Sequence, residues 1–220
     1  FVRMPMLLWN FCARLEDAGW EAVPIPNIDQ WSNGNLHHKQ MGHGGDVRPE
    51  WSRPVRPGLP APDVFPNLRI AAFVAGLGEL GWSRMLLTPE FGPRQRVMMV
   101  LTDAELEPDP IYDGPPLCDR CMACVKECAG GALSRTASQK FTVAGREIEW
   151  SAIDYDRCLD GMCGGQDYRP FVQKPPPVYW YGGAVEGARG CMRACLIHLE
   201  KQGKLANRFH HPFRRRPAWR

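Results

Sequence analysis

Four cysteines within eleven residues constrain this chain more than any other feature. Cys118, Cys121, Cys124 and Cys128 form the run C-x2-C-x2-C-x3-C. Two-residue spacers wrap a tight loop around three corners of a small cluster and let its backbone N–H groups face the sulfurs. A [4Fe–4S] cubane held by thiolates requires that arrangement. A zinc site would set paired cysteines on either side of a long gap, which four closely spaced thiols do not match. The fourth cysteine of such a run serves the other cluster of a two-cluster protein, so a second set is expected. It is present as Cys158, Cys163, Cys191 and Cys195. A crossed assignment gives cluster one Cys118, Cys121, Cys124 and Cys195. Cluster two then takes Cys128, Cys158, Cys163 and Cys191.

The second set is less regular. A repeat of the first run would place a cysteine where Ala188 stands, so Cys163 supplies the missing ligand from a separate loop. A Cys158–Cys163 disulfide is the alternative. The proline that often follows the last cysteine of each run is replaced by Ala129 and Leu196. The ninth cysteine, Cys12, lies on the apolar side of the first helix and reads as a buried core thiol.

The 220 residues suffice for one medium or two small domains with a core of their own, so the cysteines are not needed as staples. A formal net charge of +3 gives no argument for nucleic acid. The basic residues do gather at the end: residues 201–220 hold seven Lys or Arg and no acid, a solvated tail or a dock for an acidic partner. The longest apolar stretch, residues 70–77, is far short of the roughly 18–20 residues a bilayer needs, so no integral membrane segment is expected. No signal peptide is visible. The expected location is cytoplasmic, or exported if a targeting segment precedes Phe1.

Along the chain, residues 4–18 have helical spacing of Leu7, Leu8, Phe11, Cys12 and Leu15, with Gly19 as the stop. Residues 20–25 read as a strand. Residues 27–66 form a long loop; its His37, His38 and His43 read as polar loop residues, since no fourth ligand stands at zinc spacing. Residues 67–77 predict a helix with Asn67 as N-cap. Residues 85–88 and 97–102 predict short strands, and 105–116 an acidic linker. Residues 191–205 predict a helix carrying two ligands, with Arg193, Lys201 and Lys204 outward and His198 near cluster one.

Gly76-Leu77-Gly78-Glu79-Leu80-Gly81 matches G-x-G-x-x-G, but a helix precedes it where a dinucleotide site needs a strand. The glycines either end that helix or let backbone approach a ligand or a neighbouring strand.

Taken in order, residues 75–81, then Leu87-Thr88-Pro89-Glu90-Phe91-Gly92-Pro93-Arg94, then Leu101-Thr102-Asp103, then the four-cysteine run, resemble the reductive dehalogenase family. The same order is found more loosely in epoxyqueuosine reductase. The resemblance implies an α+β chain. Residues 1–106 would be a partial nitroreductase-like, corrinoid-binding α/β domain, incomplete at its N-terminus. Residues 107–200 would be a ferredoxin-like domain with two [4Fe–4S] clusters, and 201–220 a basic tail. It implies a corrinoid (cobalamin) contacted by Gly76, Gly78, Gly81, Thr88, Pro89, Glu90 and Phe91. Electrons would enter from a ferredoxin, a flavodoxin or a partner subunit, cross both clusters and reach cobalt. A small organic molecule, an organohalide among the candidates, would be reduced. No position matches the family's catalytic tyrosine or its basic partner, so no catalytic residue is assigned. Two functions stay open: the corrinoid-dependent reductase, and an electron-transfer subunit of a larger redox complex with no corrinoid of its own. A transfer-RNA-modifying reductase would bring a fuller cysteine repeat and a nucleic-acid-binding extension, neither of which is present.

Overall fold

The computed structural model describes residues 3–25, 57, 67–154, 157–158 and 190–207. Cys163, the loop histidines His37, His38 and His43, and the tail beyond residue 207 lie outside them. The chain divides into two compact units. One comprises Phe1–Ala75 and Arg96–Asp109; the other comprises Gly76–Gln95 and Pro110–Arg220.

In the first unit, helix α1 (Arg3–Asp17) buries Leu8 and Cys12, which stand four residues apart on one face. Cys12 is thus the core thiol its position suggested, and burial pushes its pKa up. Gly19 takes φ 95° where the helix stops. Strand β1 (Ala22–Ile25) pairs antiparallel with β4 (Met99–Thr102), Ala22 opposite Thr102. Asp103 fixes the end of this pair by accepting from the Glu21 amide at 2.7 Å. Helix α2 (Leu68–Val74) starts on the expected cap: Asn67 Oδ1 accepts from the Arg69 and Ile70 amides. It is shorter than its pattern suggested, because Gly76 already lies at φ 77°.

The second unit holds the cysteine run. Strands β2 (Glu79–Leu80) and β3 (Leu86–Leu87) form a small antiparallel pair. Helix α3 (Ala123–Lys126) is a single turn, and α4 (Cys191–Lys201) follows near the end. Between them runs a long hairpin, β5 (Leu133–Val143) with β6 (Arg146–Ile153), which the sequence reading did not foresee. Its turn is Ala144-Gly145 at φ 48° and 71°, both positive as a two-residue type I′ turn demands. One core consists of Leu87, Leu117, Leu196, Leu199 and Leu205, with Cys118 and Cys195 packed against it. A second consists of Trp82, Cys124 and Leu133, with Cys118, Cys128 and Cys191 against it. Cysteines therefore border both cores. Among the described residues no helix is long and apolar enough to cross a membrane.

Candidate metal centre

Cys118, Cys121, Cys124 and Cys195 line one cavity of about 350 Å³, counted with its open mouth. These are the four thiols assigned to cluster one. Cys118 and Cys121 arrive on the loop into α3, Cys124 within α3 and Cys195 on α4, and α3 and α4 pack together. The loop winds through two left-handed residues that are not glycine, Arg120 at φ 55° and Met122 at φ 59°. Each such residue costs about 1–2 kcal/mol. Strain of this kind persists where surrounding contacts enforce it, and it clusters at functional sites.

The enforcing contacts are specific. The Glu79 carboxylate, inside the glycine motif, accepts from the Cys118 amide. Asp119 Oδ1 accepts from the Cys121 amide at 3.2 Å, and Asp119 Oδ2 bonds His198 Nε2 at 2.7 Å. That second bond ties the ligand loop to α4. Lys204 Nζ donates to the Pro116 and Leu117 carbonyls at 2.8 and 3.2 Å, immediately before Cys118. Lys204 is therefore engaged, not turned outward on a helix, since α4 ends at Lys201. Arg193 is also not turned outward: it is half-buried, with its Nε shielded from solvent. Sequence reasoning missed Glu79, Asp119 and Lys204 as supports. Only the position of Asp119 between two ligands signalled it.

Backbone N–H groups reach the sulfurs, as a cluster requires. The Trp82 amide donates to Cys118 Sγ at 3.4 Å and the Ala132 amide to Cys128 Sγ at 3.2 Å. Trp82 is itself locked by its indole N–H on the Ser134 carbonyl at 3.1 Å and by the Ser151 amide on its own carbonyl at 3.0 Å. The missed hairpin thus buttresses the centre.

The thiols are crowded and shielded from water. Burial first, then Cys118, Cys191 and Cys121, push the Cys124 thiol up to about 12. Cys195 is raised by burial and then by Cys118, Cys124, Cys121 and Cys191. Cys121 is raised chiefly by burial. As thiolates these groups repel one another; a cation at their centre turns the same crowding into attraction. The donor set, the N–H···S bonds and the convergence fit a [4Fe–4S] cluster held by Cys118, Cys121, Cys124 and Cys195.

Of the second set, Cys128, Cys158 and Cys191 are described. Cys128 and Cys191 pack on the same Trp82–Cys124–Leu133 core. The Cys158 amide donates to the Asp154 carbonyl at 3.0 Å. Cys191 and Cys195 stand four apart on α4 and so share one face.

The glycine motif has an internal explanation. A Cβ on Gly78 would lie 1.9 Å from the Leu87 carbonyl oxygen, and one on Gly81 would lie 2.9 Å from Leu87 Cδ1. Both glycines serve the close pairing of β2 with β3. The Thr88–Phe91 turn is also self-contained. Thr88 and Gly92 exchange backbone bonds at 3.1 and 2.8 Å, and Thr88 Oγ1 accepts from the Phe91 amide. Ala206 and Asn207 amides bond the Pro89 and Glu90 carbonyls, so the segment after α4 straps this turn down. Phe91 and Leu77 remain exposed.

No family model matches the chain. It is 35% identical over 108 residues to tetrachloroethene reductive dehalogenase of Sulfurospirillum multivorans, covering 42% of this chain and 21% of that protein. It is 39% identical over 71 residues to proteins of the same description from Desulfitobacterium hafniense and Dehalobacter restrictus, covering 31% of this chain and 13% of each. The matches thus span about a fifth or less of these relatives. They relate the chain to reductive dehalogenases in part.

Proposed function

We propose that this chain carries electrons through two [4Fe–4S] clusters in a reductive dehalogenase-like reductase. One observation supports this above others: four cysteines from two distant segments line one cavity, with backbone N–H groups on the sulfurs. Cluster one is held by Cys118, Cys121, Cys124 and Cys195, and cluster two by Cys128, Cys158, Cys163 and Cys191. The clusters supply one-electron transfer when bound. The chain's own part is to hold the sulfurs, desolvate them and fix the loop through Glu79, Asp119, His198 and Lys204. With Cys191 and Cys195 on one helix face, the two clusters lie close enough for rapid hopping.

In this reading the electrons enter from a ferredoxin, a flavodoxin or a partner subunit and leave to a corrinoid that reduces a small molecule, an organohalide by likeness to the relatives. By resemblance its contacts would be Gly76, Gly78, Gly81 and the Thr88–Phe91 turn. The filled space beside Gly78 and Gly81 favours a second reading, an electron-transfer subunit without a corrinoid. Iron and cobalt measured together on protein purified without oxygen decide between them. About eight iron and one cobalt per chain support the reductase. Iron without cobalt, after corrinoid has been supplied, leaves the relay. A chain that takes up no iron refutes both.

A further inference from the structure

The four thiols of cluster one are not equivalent. Cys124 is buried, Cys118 and Cys195 are half-buried, and Cys121 is exposed. The exposed corner has company. A carboxylate oxygen of Asp119, a ring nitrogen of His198 and Cys121 Sγ all lie within 4.8 Å of one another. Asp119 and His198 line the same cavity as the four cysteines. The cavity therefore offers six donors to a cubane that has four corners, and both spare donors stand at the corner water can reach. Carboxylate and imidazole are ordinary ligands of iron.

We propose that the Cys121 corner of cluster one is exchangeable, with Asp119 or His198 taking its iron when the thiolate leaves. The proposal rests on the reading of cluster one given above. The exchange is redox-neutral. The Cys121 Sγ–iron bond breaks, and an Asp119 oxygen–iron or His198 nitrogen–iron bond forms. Where His198 is the incoming ligand, its neutral ring binds through the nitrogen that carries no proton, and the departing thiolate takes a proton from water. The Asp119–His198 bond opens to release the donor that binds. The other three thiolates, on less exposed side chains, stay in place. The consequence is a cluster that keeps its fourth iron when its accessible cysteine is lost.

The test is reconstitution with ferrous iron and sulfide without oxygen, read by Mössbauer and electron paramagnetic resonance spectra. C121A should retain a four-iron cluster one with a changed reduced-state spectrum. Histidine labelled with nitrogen-15 should show coupling to that cluster if His198 binds, and none if Asp119 does. The triple variant C121A/D119A/H198A should give the oxidised signal of a three-iron cluster. A second measurement uses the intact thiol set. D119A/H198A should lose its corner iron under mild ferricyanide at least about tenfold faster than wild type, the scale of lost supporting ligands. A three-iron cluster already in C121A, together with a wild-type loss rate in D119A/H198A, overturns the proposal. A wild-type chain without iron is a different failure, that of the cluster reading itself.

Discussion

Gly78→Ala separates the two explanations of the glycine motif. The added Cβ would lie 1.9 Å from the Leu87 carbonyl oxygen, 2.9 Å from its carbon and 3.1 Å from Thr88 Cα. An ordinary carbon–oxygen approach is about 3.3 Å, so the strands must part by about 1.4 Å. The obstacle is backbone, and it belongs to Leu87, which is fully buried, so no side chain can swing aside. Forced overpacking costs about 1–3 kcal/mol. Loosening the Glu79–Leu87 and Leu80–Leu86 pairing adds about 0.5–1.5 kcal/mol for each hydrogen bond lost. The expected total is about 2–6 kcal/mol, which lowers the melting temperature by about 4–24 °C for a chain of this size. Thermal and urea unfolding followed by circular dichroism, without oxygen, reads it. Gly19→Ala is the control: its φ of 95° carries strain, but nothing lies within 4 Å. The neighbouring Glu79 supports the Cys118 amide, so the spectrum of cluster one should also change in Gly78→Ala. A variant that melts within about 1 kcal/mol of wild type while corrinoid binding fails would refute this reasoning. The glycine would then exist for the ligand.

Three further outcomes are expected. Cys124→Ala removes the most buried thiolate of cluster one, and iron should fall to about four per chain while the second cluster's signal persists; unchanged iron would break the assignment of Cys124 as a ligand. Ala144→Asn at φ 48° makes the turn Asn-Gly, and should stabilise the hairpin by on the order of 0.5–1 kcal/mol in chemical unfolding. Glu149 is held below the usual carboxylate range first by the Ser138 hydroxyl and then by Arg120, at 2.7 and 2.6 Å. A depressed folded value means that its contribution is complete above the ordinary carboxylate range and is lost as pH falls through the folded value. Ser138→Ala should raise the Glu149 titration midpoint followed by carbon-13 spectra, and an unmoved midpoint would contradict the assignment.

Local signals carried far in this chain. The spacing of Leu8 and Cys12 and the Asn67 cap each act within a few residues, and each predicted what the structure contains; the first three cysteines of the run line one cavity. Boundaries moved where a glycine intervened: Gly76 after α2 and Gly203 after α4 both take positive φ. The hairpin had a readable signature, since Phe141, Val143, Ile148 and Trp150 alternate about Ala144-Gly145, but a register shift between Leu133 and Ser138 interrupts the pattern in β5. The supports of cluster one were not legible. Asp119 meets His198 and Lys204 meets Pro116 across long stretches of chain, and no spacing encodes those meetings. The glycine motif left its strand and ligand readings open for a related reason. Its match is a short string, whereas the need for Gly78 arises from Leu87, on the partner strand.

The last ligand of cluster one has a consequence for biosynthesis. Cys118, Cys121 and Cys124 leave the ribosome together, but Cys195 sits on α4, beyond the whole β5–β6 hairpin. The strap that follows it, at Lys204 and Ala206, emerges later still. Until then the nascent loop offers iron three thiolates and lacks the helix that closes it. In the proposed assignment, cluster one gains its fourth thiolate only once α4 has been translated, after the whole β5–β6 hairpin.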